Sequence, residues 1–164
     1  MNTKPSAGTP APFRLPEFQE LTLENGLRAT LAPYGTVPKG LIRISIQAGG
    51  LNERPGTSGL SVLASRYLKE GTTEFDSGEL ATLIARLGGR LDTYVDDDVT
   101  TIDTQVLSES VPKYLQLAGQ VIAQPRLPEE ALERLRSELL REIAVAKSQP
   151  ETLAQERFQA ALYG

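Results

Sequence analysis

The chain reads as an α+β domain, with an antiparallel or mixed sheet and helices packed on one face. Three observations lead there. A period of two marks one clean strand, in which Ile42, Ile44 and Ile46 point one way and Arg43, Ser45 and Gln47 the other. Apolar residues at helical spacing mark the segments that follow it. The elements run ββ, β, α, α, ββ, α, α, α, and strands separated by helical pairs favour this architecture over a regular parallel sheet.

Structure is expected to begin at Phe18. Residues 18–23 alternate weakly as a first strand, and Glu24-Asn25-Gly26 is a turn, because Asn-Gly readily supplies positive φ. Leu27, Ala29 and Leu31 alternate with Arg28 and Thr30 in a second strand, completing a hairpin. After a loop over 33–40, the third strand covers 41–48. A polar loop over 49–58 leads into a helix over 59–70, whose expected buried stripe is Leu60, Leu63, Ala64, Tyr67 and Leu68.

Asp76 and Glu79 form the pattern of a capping box. They open a helix with the core face Leu80, Leu83, Ile84 and Leu87, which Gly88-Gly89 ends. Strands are expected over 90–95 and 99–107, with Asp96-Asp97-Asp98 between them. A helix over 109–123 should bury Val111, Leu115, Ala118 and Ile122. After Pro125 and Pro128, a long helix over 129–147 should bury Leu132, Leu135, Leu139, Ile143 and Ala146. Ser148-Gln149-Pro150 marks a break before a last helix that ends near Tyr163.

Composition narrows the function. Aromatic residues are 5% of the 164 and tryptophan is absent, so the core is aliphatic. A net charge of −4, with the 17 Lys and Arg dispersed, argues against a nucleic-acid partner. No apolar run approaches the roughly 18 residues of a membrane span. Residues 1–17, MNTKPSAGTPAPFRLPE, lack the apolar stretch of a secretory signal. They read as a disordered leader to a domain over 18–164. Cytoplasm is the default compartment, or periplasm if a signal has been removed. The chain contains no histidine and no cysteine. Zinc hydrolases draw on imidazole, thiolate and carboxylate ligands; only carboxylates remain here.

A strand ending in Ala48-Gly49-Gly50 is followed by Asn52-Glu53-Arg54-Pro55-Gly56-Thr57-Ser58-Gly59-Leu60, then by a helix, Lys69-Glu70-Gly71-Thr72 and Leu87-Gly88-Gly89. This succession resembles the M16 metallopeptidases over residues 18–164 and implies their metallohydrolase-type half-domain. The family's repeat continues past Gly164, so the resemblance implies a partial repeat.

In that family the first helix carries H-x-x-E-H, two histidines for zinc and a glutamate as general base. Positions i, i+3 and i+4 share a helix face, here expected opposite the buried stripe. Those positions are Val62, Ser65 and Arg66. Valine cannot ligate, serine is a poor base, and arginine is always cationic and repels a metal. The family's third ligand, a glutamate on a later helix, corresponds to Glu142. With one carboxylate left and no metal cofactor expected in this chain, Glu142 is expected to pair with Arg66. The plainer reading is a solvated side chain on a long helix.

Other candidate sites also have plainer structural readings. Asp92, Asp96, Asp97, Asp98 and Asp103 could form a calcium patch, or simply a solvated hairpin. Gly49-Gly50 and Gly88-Gly89 fit tight turns better than phosphate loops. Ser58, Ser61 and Ser65 have no histidine base, and Lys69 lies one turn from Ser65. In the M16 family, substrate peptides add to a sheet edge near the zinc helix. The Ile42, Ile44 and Ile46 strand is the candidate edge, if it is not fully paired.

The resemblance implies a non-catalytic subunit or repeat. It would pair, as a heterodimer or within one longer chain, with an M16 partner carrying H-x-x-E-H and zinc, and would help enclose extended peptides. The alternative is a scaffold protein that retains the fold without a role in proteolysis, as in some respiratory-complex core subunits of the family.

Overall fold

The structure, a computed structural model, describes Gly8 and residues 14–163. Most of the expected leader over 1–17 lies outside the described residues. The chain divides between Val37 and Pro38 into two units. In the first, β1 (Gln19–Thr22) pairs antiparallel with β2 (Arg28–Leu31). The Asn-Gly turn forms as expected. Gly26 has φ 83°, and the Asn25 side chain accepts from the amide of Leu27 at 3.1 Å.

The second unit contains β3 (Lys39–Ile46), α1 (Leu60–Tyr67), α2 (Ser77–Arg86), β4 (Asp92–Val95), β5 (Thr100–Leu107), α3 (Val111–Ala123), α4 (Glu129–Ala146) and α5 (Pro150–Tyr163). A further tight helical turn, Leu68–Glu70, continues α1. The sheet order is β3-β5-β4 and every pairing is antiparallel. The architecture is α+β, as the element order indicated.

Ile42 of β3 and Val106 of β5 meet Leu80 and Ile84 of α2 and Tyr114, Leu117, Ala118 and Val121 of α3 in one core. On β5 the even residues Thr100, Ile102, Thr104 and Val106 are buried and Gln105 and Leu107 are exposed, so the strand's alternation is complete at that end. The capping box of α2 is present in both directions: Asp76 accepts from the Glu79 amide at 2.8 Å, and Glu79 accepts from the Asp76 amide at 3.0 Å. Gly88, at φ 75°, ends that helix in the left-handed conformation that glycine adopts without penalty.

Helix α3 turns inward a face shifted from the one expected, and α4 buries its expected face only in its first half, around Leu135. In α3 the buried stripe is Tyr114, Leu117, Ala118 and Val121, and Leu115 is 47% exposed. Buried Tyr114 places its hydroxyl where it donates to the carbonyl of Arg90 at 3.2 Å, a bond Leu115 could not make. In α4, Ala131 and Leu135 are buried, whereas Ile143 is 40% exposed.

Candidate functional site

The segment leading into α1 is anchored before the helix starts. Gly49 packs against the turn after β4 so closely that a Cβ would sit 2.6 Å from each of three backbone atoms, Asp96 O, Asp97 O and Asp98 C. The amides of Gly50 and Leu51 donate to the carbonyls of Asp96 and Asp97 at 3.0 and 2.8 Å. The start of α1 needs acceptors for its free amides. Gly59, at its N-cap, has no side chain to offer. Glu53 supplies them instead, accepting from the amides of Gly59 and Ser61 at 2.8 and 2.7 Å. The Ser61 amide bond holds the Glu53 carboxyl below its ordinary value. Nothing in local sequence spacing marks Glu53, because it reaches across the loop.

The expected orientation of α1 is corrected by the structure. Val62, Ser65 and Arg66 do not lie opposite a buried stripe. Ser65 is the buried residue of the helix, at 4% exposure, while Leu60 is 54% exposed and Ala64 is also exposed. Helix α1 packs between β4 and α4, and the turn bearing these three residues faces inward. A polar residue is tolerated there because the Ser65 hydroxyl donates to the carbonyl of Val62 at 2.8 Å. That proton is committed within the helix, and Ser65 has no hydrogen bond to Lys69 among the described residues.

Arg66 and Glu142 are joined. The guanidinium donates to both carboxylate oxygens, Nη1 to Oε1 at 2.9 Å and Nη2 to Oε2 at 2.6 Å. This bidentate geometry suits the planar donor fork of arginine. Hydrogen bonding from Arg66 holds the Glu142 carboxyl below its ordinary value, and the same bond raises the Arg66 pKa. Two further links run along the same helix pair. The Tyr67 hydroxyl donates to the carbonyl of Pro128 at 2.5 Å, and Arg134 bridges Glu70 at 2.6 Å and Glu138 at 3.2 Å.

Val62, Ser65 and Arg66 do not make a zinc site with Glu142. Val62 has no donor atom, the Ser65 hydroxyl is committed, and the single carboxylate is taken by a permanent cation. Among the described residues no group of three or more histidine, cysteine or carboxylate side chains is placed to hold a metal. Three aspartates of the suspected calcium patch have other partners. Asp103 receives two bonds from Arg43 at 2.8 and 2.6 Å, and Asp92 pairs with Arg90 at 3.3 Å. Asp96 caps its own turn by accepting from the amides of Asp98 and Val99.

The sheet has two edges within the second unit, and their free backbone groups follow from register. The Ser108 amide bonds the carbonyl of Pro38, in register with the β3–β5 ladder. Antiparallel bonding alternates along a pair. Ile42, Ile44 and Ile46 therefore spend their backbone groups on β5, and Leu41, Arg43 and Ser45 present theirs outward. On the other side, the Asp96 amide bonds the carbonyl of Val99 in register with β4–β5. Asp92 and Tyr94 bond β5, leaving the backbone groups of Thr93 and Val95 outward. The edge beside α1 is β4 rather than β3.

Three depressed carboxylates make an acid-sensitive set: Glu53, Asp103 and Glu142. A folded pKa below the unfolded one contributes stability that is complete above the unfolded value and lost as pH falls through the folded one. Urea unfolding is expected to give constant stability down to about pH 5 and a steady decline as pH falls through the ordinary glutamate and aspartate values of 4.5 and 3.8. Added salt should weaken the Asp103 and Glu142 contributions and spare that of Glu53, whose donors are backbone amides.

The sheet, the glycine-anchored loop and the helix bearing Val62, Ser65 and Arg66 together define a peptidase-type half-domain. Residues 32–164 match the insulinase family, peptidase family M16, and the chain belongs to that family. It is 28% identical over 147 residues to the mitochondrial-processing peptidase subunit beta of Neurospora crassa, covering 88% of this chain and 30% of that protein. It is 25% identical over 146 residues to an uncharacterized zinc protease of Rickettsia bellii, covering 89% and 35%. The chain thus spans about a third of the length of these relatives. Among solved structures, a protease from Helicobacter pylori superposes with a TM-score of 0.79 at 22% identity, over 85% of this chain and 34% of that one. The peptidase M16 inactive domain from Pseudomonas fluorescens gives 0.77 at 22%, over 84% and 34%. Both show the shared fold. No described helix is long and apolar enough to cross a membrane.

Proposed function

We propose that this chain is a non-catalytic M16 subunit or repeat that pairs with a zinc-bearing M16 partner and helps it enclose and hold peptide. The observation that carries the reading is the set Val62, Ser65 and Arg66 at the motif positions, with Glu142 tied up by Arg66. General-base hydrolysis needs a base and an activated water, and neither position 65 nor position 66 supplies one. Peptide contact needs only backbone. The outward groups of Thr93 and Val95 on β4, beside α1, form the edge best placed to take an extended segment, and the β3 edge offers Leu41, Arg43 and Ser45 as a second. The similarity to a processing-peptidase subunit and to an inactive M16 domain supports the pairing.

A scaffold role is the second reading. It is favoured by 23% identity over 128 residues to cytochrome b-c1 complex subunit 1 of Caenorhabditis elegans. Mixing separates the two. The chain is co-purified with an M16 subunit carrying H-x-x-E-H, and cleavage of a fluorogenic peptide is followed. Association with a rise in cleavage is expected. Association without a rise selects the scaffold role, and cleavage by this chain alone overturns both readings.

A further inference from the structure

The turn between β1 and β2 carries a chemically labile dipeptide. Asparagine occurs as Asn2, Asn25 and Asn52, and of these Asn25 alone precedes a glycine. An asparagine side-chain carbon can close a small ring with the backbone nitrogen of the next residue, and a following glycine has no Cβ to shield that nitrogen. Asn25 and Gly26 are both exposed, and a Cβ built at Gly26 would meet nothing within 4 Å. Two hydrogen bonds restrain the pair. The Gly26 amide donates to the carbonyl of Leu23 at 2.9 Å, and the Asn25 side-chain oxygen accepts from the amide of Leu27 at 3.1 Å. The first occupies the nitrogen that would attack, and the second holds the carbon that would be attacked. Both bonds belong to a two-stranded hairpin whose strand residues are exposed apart from half-buried Ala29. Such hairpins are marginal in water, so local opening needs far less free energy than unfolding of the second unit.

We propose that Asn25-Gly26 is a self-modification site, converted to aspartate and isoaspartate at a rate set by opening of the hairpin turn. The Gly26 nitrogen bonds to Asn25 Cγ, and the Cγ–Nδ2 bond breaks. Nδ2 leaves as ammonia, with the proton that the Gly26 amide gives up. Water then opens the resulting succinimide at one of its two carbonyls. Opening at Cγ leaves aspartate, and opening at the Asn25 backbone carbonyl leaves isoaspartate. Water is the sole co-reactant, and nothing is oxidised or reduced. Isoaspartate adds a methylene to the main chain inside the turn and sets a new carboxylate next in sequence to Glu24. The Gly26 bond to Leu23, and the bond from the Leu23 amide to the Leu27 carbonyl at 2.8 Å, are then lost. Asn52 is the internal contrast. Its side chain accepts from the Gly49 amide at 2.9 Å, and the nitrogen that follows belongs to Glu53, which bears a side chain and donates to the Gly50 carbonyl at 3.1 Å. The proposal stands whether or not the chain pairs with an active subunit.

The test incubates the purified chain, Asn25→Gln and Asn52→Gln in neutral buffer made with heavy-oxygen water, over a series of urea concentrations. Peptides are mapped by mass spectrometry, and far-UV circular dichroism reports the fold. The peptide containing Asn25 is expected to take up one heavy oxygen and to split into aspartate and isoaspartate forms, while Asn52 keeps its amide. Conversion should accelerate at urea concentrations that leave the circular dichroism unchanged. Asn25→Gln, whose extra methylene disfavours the ring, should abolish the uptake, and Asn52→Gln should leave it intact. In the converted chain the Leu23 and Gly26 amides should lose their protection from hydrogen exchange. Conversion of Asn52 ahead of Asn25 overturns the proposal, as does an Asn25 that stays intact in the fully unfolded chain. A rate that is equal with and without urea means that the turn does not govern it. Acceleration that appears only with global unfolding means that the hairpin does not open by itself. Either result sinks the proposal.

Discussion

Gly49→Ala is expected to lower the stability of the domain by about 2–3 kcal/mol, against less than about 0.5 kcal/mol for Gly50→Ala. The two glycines are adjacent in sequence and differ in what surrounds them. A Cβ at Gly49 would meet three backbone atoms of residues 96–98 at 2.6 Å, and backbone cannot swing aside as a side chain can. At Gly50 the nearest atoms are 3.9 Å away, an ordinary contact. Neither position needs positive φ, so the contrast isolates close approach from backbone strain. Relief at Gly49 requires the 96–98 turn to move, breaking the bonds that Gly50 and Leu51 make to it. That turn ends β4, and the loop on its other side carries the Glu53 cap of α1. The loss should appear in urea unfolding followed by far-UV circular dichroism. A matching loss at Gly50 would show that the close approach is not the cause.

Tyr114→Ala should be still more damaging, by about 3–5 kcal/mol. The side chain is 1% exposed and sits in the core cluster with Leu80, Ile84 and Val121. Burial pushes the Tyr114 pKa up. Its hydroxyl satisfies the carbonyl of Arg90, just ahead of β4. Truncation leaves a cavity and removes that donor. Tyr114→Phe keeps the volume and loses only the hydroxyl, for a cost of about 1 kcal/mol. Single domains are stable by about 5–15 kcal/mol, so the alanine variant should lose most of its margin. Equal unfolding midpoints for the alanine and phenylalanine variants would refute the cavity argument.

Sequence pattern identified the elements more securely than their faces. Strand β3, the capping box at Asp76 and Glu79, the Asn-Gly turn and the glycine end of α2 were legible because each depends on neighbours within a few residues. The inward face of α1 was not. Leu60, Leu63, Ala64 and Tyr67 make a convincing stripe, yet burial falls on Ser65, because position between β4 and α4 decides and the hydroxyl finds an acceptor inside its own helix. Helix α3 is apolar on adjoining faces, so the spacing pointed to Leu115, whereas the structure buries Tyr114 with its hydroxyl on the Arg90 carbonyl. At the site, the Arg66–Glu142 pair could be anticipated from the family frame, across 76 residues of sequence. Glu53, Tyr67 and Arg134 could not, since their partners are brought together only by the fold. Strand β3 is an edge of the sheet, but the register leaves outward the backbone groups of Leu41, Arg43 and Ser45 rather than those of Ile42, Ile44 and Ile46. The side chains that fill the core and the backbone groups that remain free belong to different residues of the same strand.

The central place of β5 also governs how the chain can assemble. Strands β4 and β5 are joined by a short turn and can zip locally, whereas β3 must return to pair Ile46 with Thr100 and Lys39 with Leu107. The loop closed by that return contains α1 and α2 entire, so β3 docking is expected to follow the local β4–β5 pairing.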